Sequence, residues 1–243
     1  MQIKRTLATI VSRIVVDLGT GSGRSIKHLL EVMKKGFIIG LDGSCKRLAT
    51  AKKMLKFDAI NLEIALICCN FAYIPLKSSV TDSIVSILTF HELVINKDKN
   101  INDIAVEMHR ILKKDGEVIV IDKFLYETEN LAEKLPILTE YVYQEALKTA
   151  KGIHLWGLHK PEDYINILRK TGFKNIKISV IDVQKRLSGE EFLKTWGKET
   201  RNLIKQIKGP KAERLKKIIK KIEKIALNYG YKAGKMIIVR AKK

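Results

Sequence analysis

An acidic residue followed by three alternate glycines, Asp17-Leu18-Gly19-Thr20-Gly21-Ser22-Gly23, is the segment of this chain whose residue types and spacing point most directly to chemistry. Glycine lets a backbone lie against a ligand where a side chain would hold it away. The N–H groups at the start of a following helix offer donors to a polar or anionic group. A dinucleotide fingerprint, G-x-G-x-x-G, would need a glycine where Arg24 stands. A phosphate-binding P-loop would need Gly-Lys-Ser/Thr, which is absent.

Three further clusters follow in order. Asp42, with Gly43 beside it, ends an apolar run at the spacing where an acid accepts hydrogen bonds from both hydroxyls of a ribose. Asn70 and Phe71 follow another apolar run, where an amide can read an adenine edge and a ring can cover it. Thr89-Phe90-His91-Glu92 follows a fourth. His91 is the candidate general base; adjacent Glu92 either orients it or faces away and is a candidate for the substrate pocket, and the competing reading is a histidine that only packs or hydrogen-bonds near the pocket. Tyr126, His154, Trp156 and His159, with Tyr141 and Tyr143, are candidates for an acceptor pocket, or for ordinary packing between helices. Cys45, Cys68 and Cys69 form no CxxC pair and read as buried free thiols, with Cys68 and Cys69 on opposite faces of a strand. They supply no metal site.

These residues need a scaffold that gathers strand ends. Apolar, β-branched runs at 14–18, 37–42, 62–69, 83–90 and 117–122 alternate with helical stretches at 22–35, 44–56 and 101–113. Ser22 and Ser44 are possible N-caps, Gly36 is a helix stop, and Asp115-Gly116 is a turn. Repeated βα units imply an open parallel sheet with right-handed crossovers, which binds ligands at the C-terminal ends of its strands. Residues 123–157 read as irregular helix broken by Pro136 and Gly152. Pro161 opens a helix to about Thr171, and strands follow at 175–183 and 235–242. Residues 1–183 are therefore read as the core, 184–234 as a basic helical insertion hinged at Gly209-Pro210, and 235–243 as the last core strand.

Together, VVDLGTGSG, LDGS, CCNFAYIPLKSSVTDSIVSILTFHEL and MHRILKKDGEVIVID resemble the class I S-adenosylmethionine (SAM)-dependent methyltransferases, over about residues 14–122. SAM carries an amino-acid carboxylate and a cationic sulfonium, and an acid such as Asp17 suits the cation. The resemblance implies an α/β, Rossmann-like sheet of order 3-2-1-4-5-7-6 with the seventh strand antiparallel. It assigns Asp17, Gly19, Thr20, Gly21 and Gly23 to the methionine end. It assigns Asp42 to the ribose and Asn70 and Phe71 to adenine; Gly43 beside Asp42, and Thr89 after the fourth strand where the acceptor should meet the methyl group, are further cofactor-binding candidates. The family often has Asp where Asn70 stands. The product would be S-adenosylhomocysteine.

The acceptor is narrowed by what is missing. The loop after the fourth strand is not the [NDS]-P-P-[YFW] of exocyclic-amine base methylation, no cysteine follows strand four or five for cytosine C5 chemistry, and no carboxylate set suggests a catechol-type metal site. A small molecule leads, with the IPLKSSVTDSIVSIL segment most like that branch of the family. RNA, a protein side chain, and an inactive binding module remain. The formal charge of +20 permits an acidic partner, and residues 184–235 hold 16 Lys/Arg against 5 Asp/Glu. The competing reading is a thermophile-like lysine bias with a solvated basic face. No apolar run is long enough to span a bilayer, and the N-terminus lacks a clean signal-peptide core, so the chain is expected to be cytoplasmic. Oligomeric state leaves no signal.

Overall fold

A computed structural model of the 243-residue chain describes residues 2–10, 12–55, 62–96 and 100–243. After a short helix α1 (Gln2–Leu7), the chain alternates strand and helix: β1 (Ile14–Leu18), α2 (Arg24–Val32), β2 (Gly36–Asp42), α3 (Cys45–Met54) and β3 (Leu62–Cys68). Then come β4 (Thr81–Ile87), α4 (Ile101–Ile111), β5 (Leu112–Lys123), α5 (Leu131–Lys151), α6 (Pro161–Lys170) and β6 (Lys174–Ile181). The insertion contains β7 (Arg186–Leu187), α7 (Gly189–Thr195), α8 (Lys198–Ile204), α9 (Pro210–Tyr229) and β8 (Tyr231–Lys232), and β9 (Met236–Lys242) completes the sheet.

The seven-stranded sheet has the order β3-β2-β1-β4-β5-β9-β6. β9 is its seventh strand and runs antiparallel to β5 and β6, while the other pairings are parallel. This is the expected Rossmann-like arrangement. The short antiparallel pair β7–β8, absent from the sequence reading, closes the base of the insertion through Arg186↔Lys232 and Leu187↔Tyr231.

Strand alternation explains the layering. Val16, Ile84 and Val118 face one side and pack with Met108 of α4 and Tyr164 of α6. Val15, Val85 and Ile119 face the other and pack with Leu29 of α2 and Leu7 of α1. A third cluster joins Leu135, Val142 and Ala146 of α5 to Phe192, Leu203, Ile219 and Ile222 of the insertion. The predicted stripe of α9, from Leu215 to Ala226, is thus its packed face. Lys211, Arg214, Lys217, Lys221 and Lys224 lie on its exposed face.

Several local expectations are corrected. Gly23, in the left-handed region at φ 89°, caps α2 in place of Ser22, and Gly36 begins β2 instead of stopping a helix. The predicted end of the next helix at residue 56 lies outside the described residues. β4 ends at Ile87 because Leu88 turns to φ 54°, so Thr89–Glu92 leave the strand in a tight turn. Asp115 (φ 64°) makes a bulge within β5, which already pairs at Leu112. Pro136 does not break α5. It sits one turn in from the Asn130 cap, where it removes a single backbone bond, and burial of Leu135, Val142 and Ala146 holds the rest. Among the described residues no helix is long and apolar enough to cross a membrane.

Candidate functional site

The glycine loop is held from within. The N–H groups of Gly19 and Thr20 donate to the Leu41 carbonyl (2.8 and 3.0 Å), that of Gly21 to Asp42 Oδ2 (2.8 Å), and that of Gly23 to the Thr20 carbonyl (2.9 Å). These four donors are spent, so the loop contributes shape where donors were expected. A Cβ on Gly19 would lie 2.1 Å from Thr89 Oγ1, and Gly19 has φ 86°. The loop is therefore pressed against the end of β4.

Asp17 lies fully buried beneath the loop. Its Oδ2 accepts from Thr20 Oγ1 (2.7 Å) and Ser25 Oγ (2.6 Å), while Oδ1 has no partner. Burial pushes its carboxyl up to about 6, against the pull of those hydroxyls. An orphaned carboxylate oxygen under a glycine loop suits a cationic group.

A cavity of about 1280 Å³ opens over the C-terminal ends of the strands. Gly19, Asp42, Gly43, Asn70, Phe71 and Thr89 line it, together with Glu92. Six of the residues expected at the cofactor thus line one cavity. Asp17, Thr20, Gly21 and Gly23 support the wall from behind. Asp42 Oδ1 accepts from the Ser44 N–H (2.8 Å), so both of its oxygens are fixed in place. Asn70 Oδ1 accepts from the Ala72 N–H (3.2 Å), which leaves its amide group free of that turn.

The cysteines depart from expectation. Cys45, the first residue of α3, and Cys68, the last of β3, form a disulfide with a Cα–Cα distance of 5.2 Å. The β2–β3 register places Cys68 beside Asp42, which brings the two together. Cys69 is the free thiol and lines the cavity together with Cys68, because the strand ends between them. Burial pushes the Cys69 thiol up to about 11.

His91 is almost completely buried. Its Nδ1 is hydrogen-bonded to Asp122 Oδ1, and its backbone N–H donates to Asp122 Oδ2 (3.1 Å). A carboxylate only accepts, so Nδ1 carries a proton in this pair. Nε2 has no hydrogen-bond partner and lies 3.8 Å from Oε1 of Glu92; Glu92 lines the cavity, whereas buried His91 is not among the residues that line it. Asp122 went unnoticed in the sequence as the end of an apolar strand. An acid closing an otherwise buried run was the available signal.

The far side of the cavity is lined by residues of α5 and of the segment between β6 and β9: Glu140, Tyr143, Phe192, Trp196, Lys198 and Glu199. Phe192 stacks between Trp196 (5.5 Å) and Tyr231 (4.4 Å). The Tyr143 hydroxyl donates to Glu199 Oε1 (3.3 Å). Burial, then Glu199, Glu92 and Glu140, pushes the Tyr143 phenol up to about 12. Burial also raises Glu140, but Lys123 at 2.9 Å and His91 outweigh it and hold its carboxyl below the ordinary range.

The other expected pocket residues lie off this cavity. Trp156 is buried between Phe90, Tyr164 and His159. His159 is held by Asp163 and the Trp156 carbonyl, and His154 is exposed. Tyr126 packs on Phe124 and donates to the Glu133 carbonyl. Apolar Ile153 and Leu155 from the same stretch reach the cavity instead. Among the described residues no group of three His, Cys, Asp or Glu could hold a metal ion.

Comparison with known proteins agrees with this geometry. A methyltransferase domain family matches residues 16–120. A ubiquinone/menaquinone biosynthesis C-methyltransferase from Wigglesworthia glossinidia brevipalpis is 28% identical over 109 residues, 44% of this chain and 42% of that protein. The match thus spans less than half of the relative's length. A SAM-dependent methyltransferase from Archaeoglobus fulgidus superposes with a TM-score of 0.59 at 17% identity, covering 100% and 93% of the two chains. Phosphoethanolamine N-methyltransferase 2 of Haemonchus contortus, in complex with phosphomonomethylethanolamine and S-adenosylhomocysteine, gives 0.57 at 19% identity, covering 99% and 51%.

Proposed function

We propose, from the premise that this chain carries a class I SAM-dependent methyltransferase domain, that it methylates a small molecule enclosed between the strand ends and the helical layer. The observation that carries this reading is the single cavity running from Gly19, Asp42 and Phe71 to Tyr143, Trp196 and Glu199. It joins a cofactor wall to a chamber covered by both α5 and the insertion, with room for two ligands. The cofactor supplies an electrophilic methyl on a sulfonium whose departure leaves a neutral thioether.

The residues that would hold it are Asp42 at the ribose, Asn70 and Phe71 at the adenine, and the Gly19 turn at the methionine end, backed by Asp17. The chain's own work is positioning, exclusion of water and disposal of a proton. His91 receives that proton at Nε2, and Asp122 fixes its tautomer and balances the imidazolium that forms. The exposed Lys face of α9 favours a second reading, an RNA acceptor or contact surface. We place the chain in the cytoplasm. Its lysine-rich, thermophile-like composition is consistent with an intracellular disulfide.

The test is calorimetric binding of SAM and S-adenosylhomocysteine, repeated with bulk tRNA at two salt concentrations. Micromolar cofactor binding unaffected by tRNA supports the small-molecule reading. Salt-sensitive tRNA binding favours RNA. Absence of cofactor binding removes the proposal.

A further inference from the structure

We infer that the Cys45–Cys68 disulfide is a redox-responsive clamp on the cofactor site: a dithiol reductant opens it and weakens cofactor binding, and bound cofactor in turn protects it. The inference rests on the methyltransferase reading and adds regulation to the same site.

The bond joins the two short segments that carry the proposed cofactor residues. Asp42 and Gly43 precede Cys45 at the start of α3, and Asn70 and Phe71 follow Cys68 at the end of β3. The non-covalent ties around them are weak. β3 lies at the edge of the sheet and, among the described residues, pairs only with β2. None of its seven residues is fully buried, whereas four of the five in β1 are. Past the Asp42↔Cys68 pair, the ladder continues by the bond from the Cys69 N–H to the Asp42 carbonyl (3.0 Å). An edge strand with so little burial opens locally at small cost. The covalent link therefore does much to fix Asn70 and Phe71 opposite Asp42.

The bond is also open to a reductant. Both Cys45 and Cys68 are exposed, and Cys68 lines the cavity. Exposed disulfides exchange with external thiols more readily than buried ones. The reductant's thiolate attacks Sγ of Cys45, the Cys45–Cys68 bond breaks with its electron pair on Cys68, and Cys68 takes up a proton. The reductant's second thiolate then displaces Cys45 from the mixed disulfide, and Cys45 takes up a proton. The chain gains two electrons and two protons, and the dithiol becomes a disulfide. Cys69, beside Cys68, stays out of the exchange. Burial first, and then Asp42, pushes its thiol up to about 11, and a protonated thiol is a poor nucleophile. Cofactor and reductant thus act on one element from two sides. Whatever factor reduction takes from cofactor affinity, bound cofactor restores as resistance to reduction.

The test titrates S-adenosylhomocysteine calorimetrically into the full chain, oxidised and after reduction with dithiothreitol, with thiols counted by maleimide labelling. The oxidised chain is expected to show one thiol and the reduced chain three. Reduction is expected to weaken S-adenosylhomocysteine binding by about fivefold or more, with far-ultraviolet circular dichroism unchanged. Saturating S-adenosylhomocysteine is expected to raise, by the same factor, the ratio of reduced to oxidised dithiothreitol at which half the chain is reduced. The double variant Cys45→Ser, Cys68→Ser is expected to bind as the reduced chain does and to lose the response to dithiothreitol. Three thiols before reduction, a reduced chain that binds equally or more tightly, a response that survives in the double variant, or global unfolding on reduction overturns the inference. Failure of both redox forms to bind S-adenosylhomocysteine overturns the underlying methyltransferase reading instead, which separates the two failures.

Discussion

The two walls of the cavity are built differently. The wall proposed for the cofactor is backbone turned tightly at strand ends, and much of its polar surface is already paired, Gly21 with Asp42 and Thr20 and Ser25 with Asp17, while Asp17 Oδ1 is left without a partner. The wall proposed for the acceptor is made of side chains delivered from far apart in the sequence by α5, α7 and α8, where the Tyr143 hydroxyl donates to Glu199. The first wall is a preformed mould. The second is assembled by tertiary packing.

If the walls are separate in function, damage to one should spare the other. The largest separation is expected at His91→Ala, which should lower turnover by roughly 10²–10⁴-fold with cofactor affinity nearly unchanged. Single-turnover kinetics beside calorimetry would read both, and loss of cofactor binding would sink the base assignment. Gly19→Ala should do the reverse. The added methyl collides with Thr89 at a left-handed φ, so cofactor affinity should fall by more than about tenfold, from strain of roughly 1–3 kcal/mol.

Ile222→Ala sharpens the comparison from beneath. It opens a hole in the α5–α9 cluster, where Ile222 has no exposed surface, and should cost about 2–5 kcal/mol by denaturant unfolding. The smallest effect concerns Asp17. Its folded carboxyl is raised from 3.8 to about 6, so the folded state binds the proton more tightly than the unfolded chain. The burial penalty is therefore fully present above about pH 6 and is relieved as pH falls toward 4. Relative to wild type, Asp17→Asn should gain more stability at pH 7 than at pH 4.5. Equal differences at both pH values would contradict this.

The same division governs what could be read from the sequence. The glycine loop, Asp42 and the succession of strands were legible because local patterns encode them: acid, glycine spacing and apolar runs; the strand order came only with the resemblance to a known family. Trp156 shows the limit. Beside two histidines it resembled a pocket residue, yet its indole is enclosed by Phe90 and Tyr164, contacts that no local pattern records. Asp122 and His91 are 31 residues apart and meet only because β4 and β5 are neighbours. The Phe192–Trp196–Tyr231 stack was hidden for a further reason. The charge of the insertion drew attention to its lysines, while its rings turned inward. Pro136 was misjudged because helix propensity was weighed without the packing that overrides it.

The link between Cys45 and Cys68 has a topological consequence. It closes a ring of backbone around α3, with a sequence separation of 23, and the residues proposed for ribose (Asp42, Gly43) and adenine (Asn70, Phe71) flank the two ends of that ring. A protease that cut once anywhere inside the ring would leave no loose end at the pocket. The fragments would migrate together on a gel run without reductant and separate when thiol is added, and the nicked protein would still hold both edges of its cofactor wall in one covalent frame.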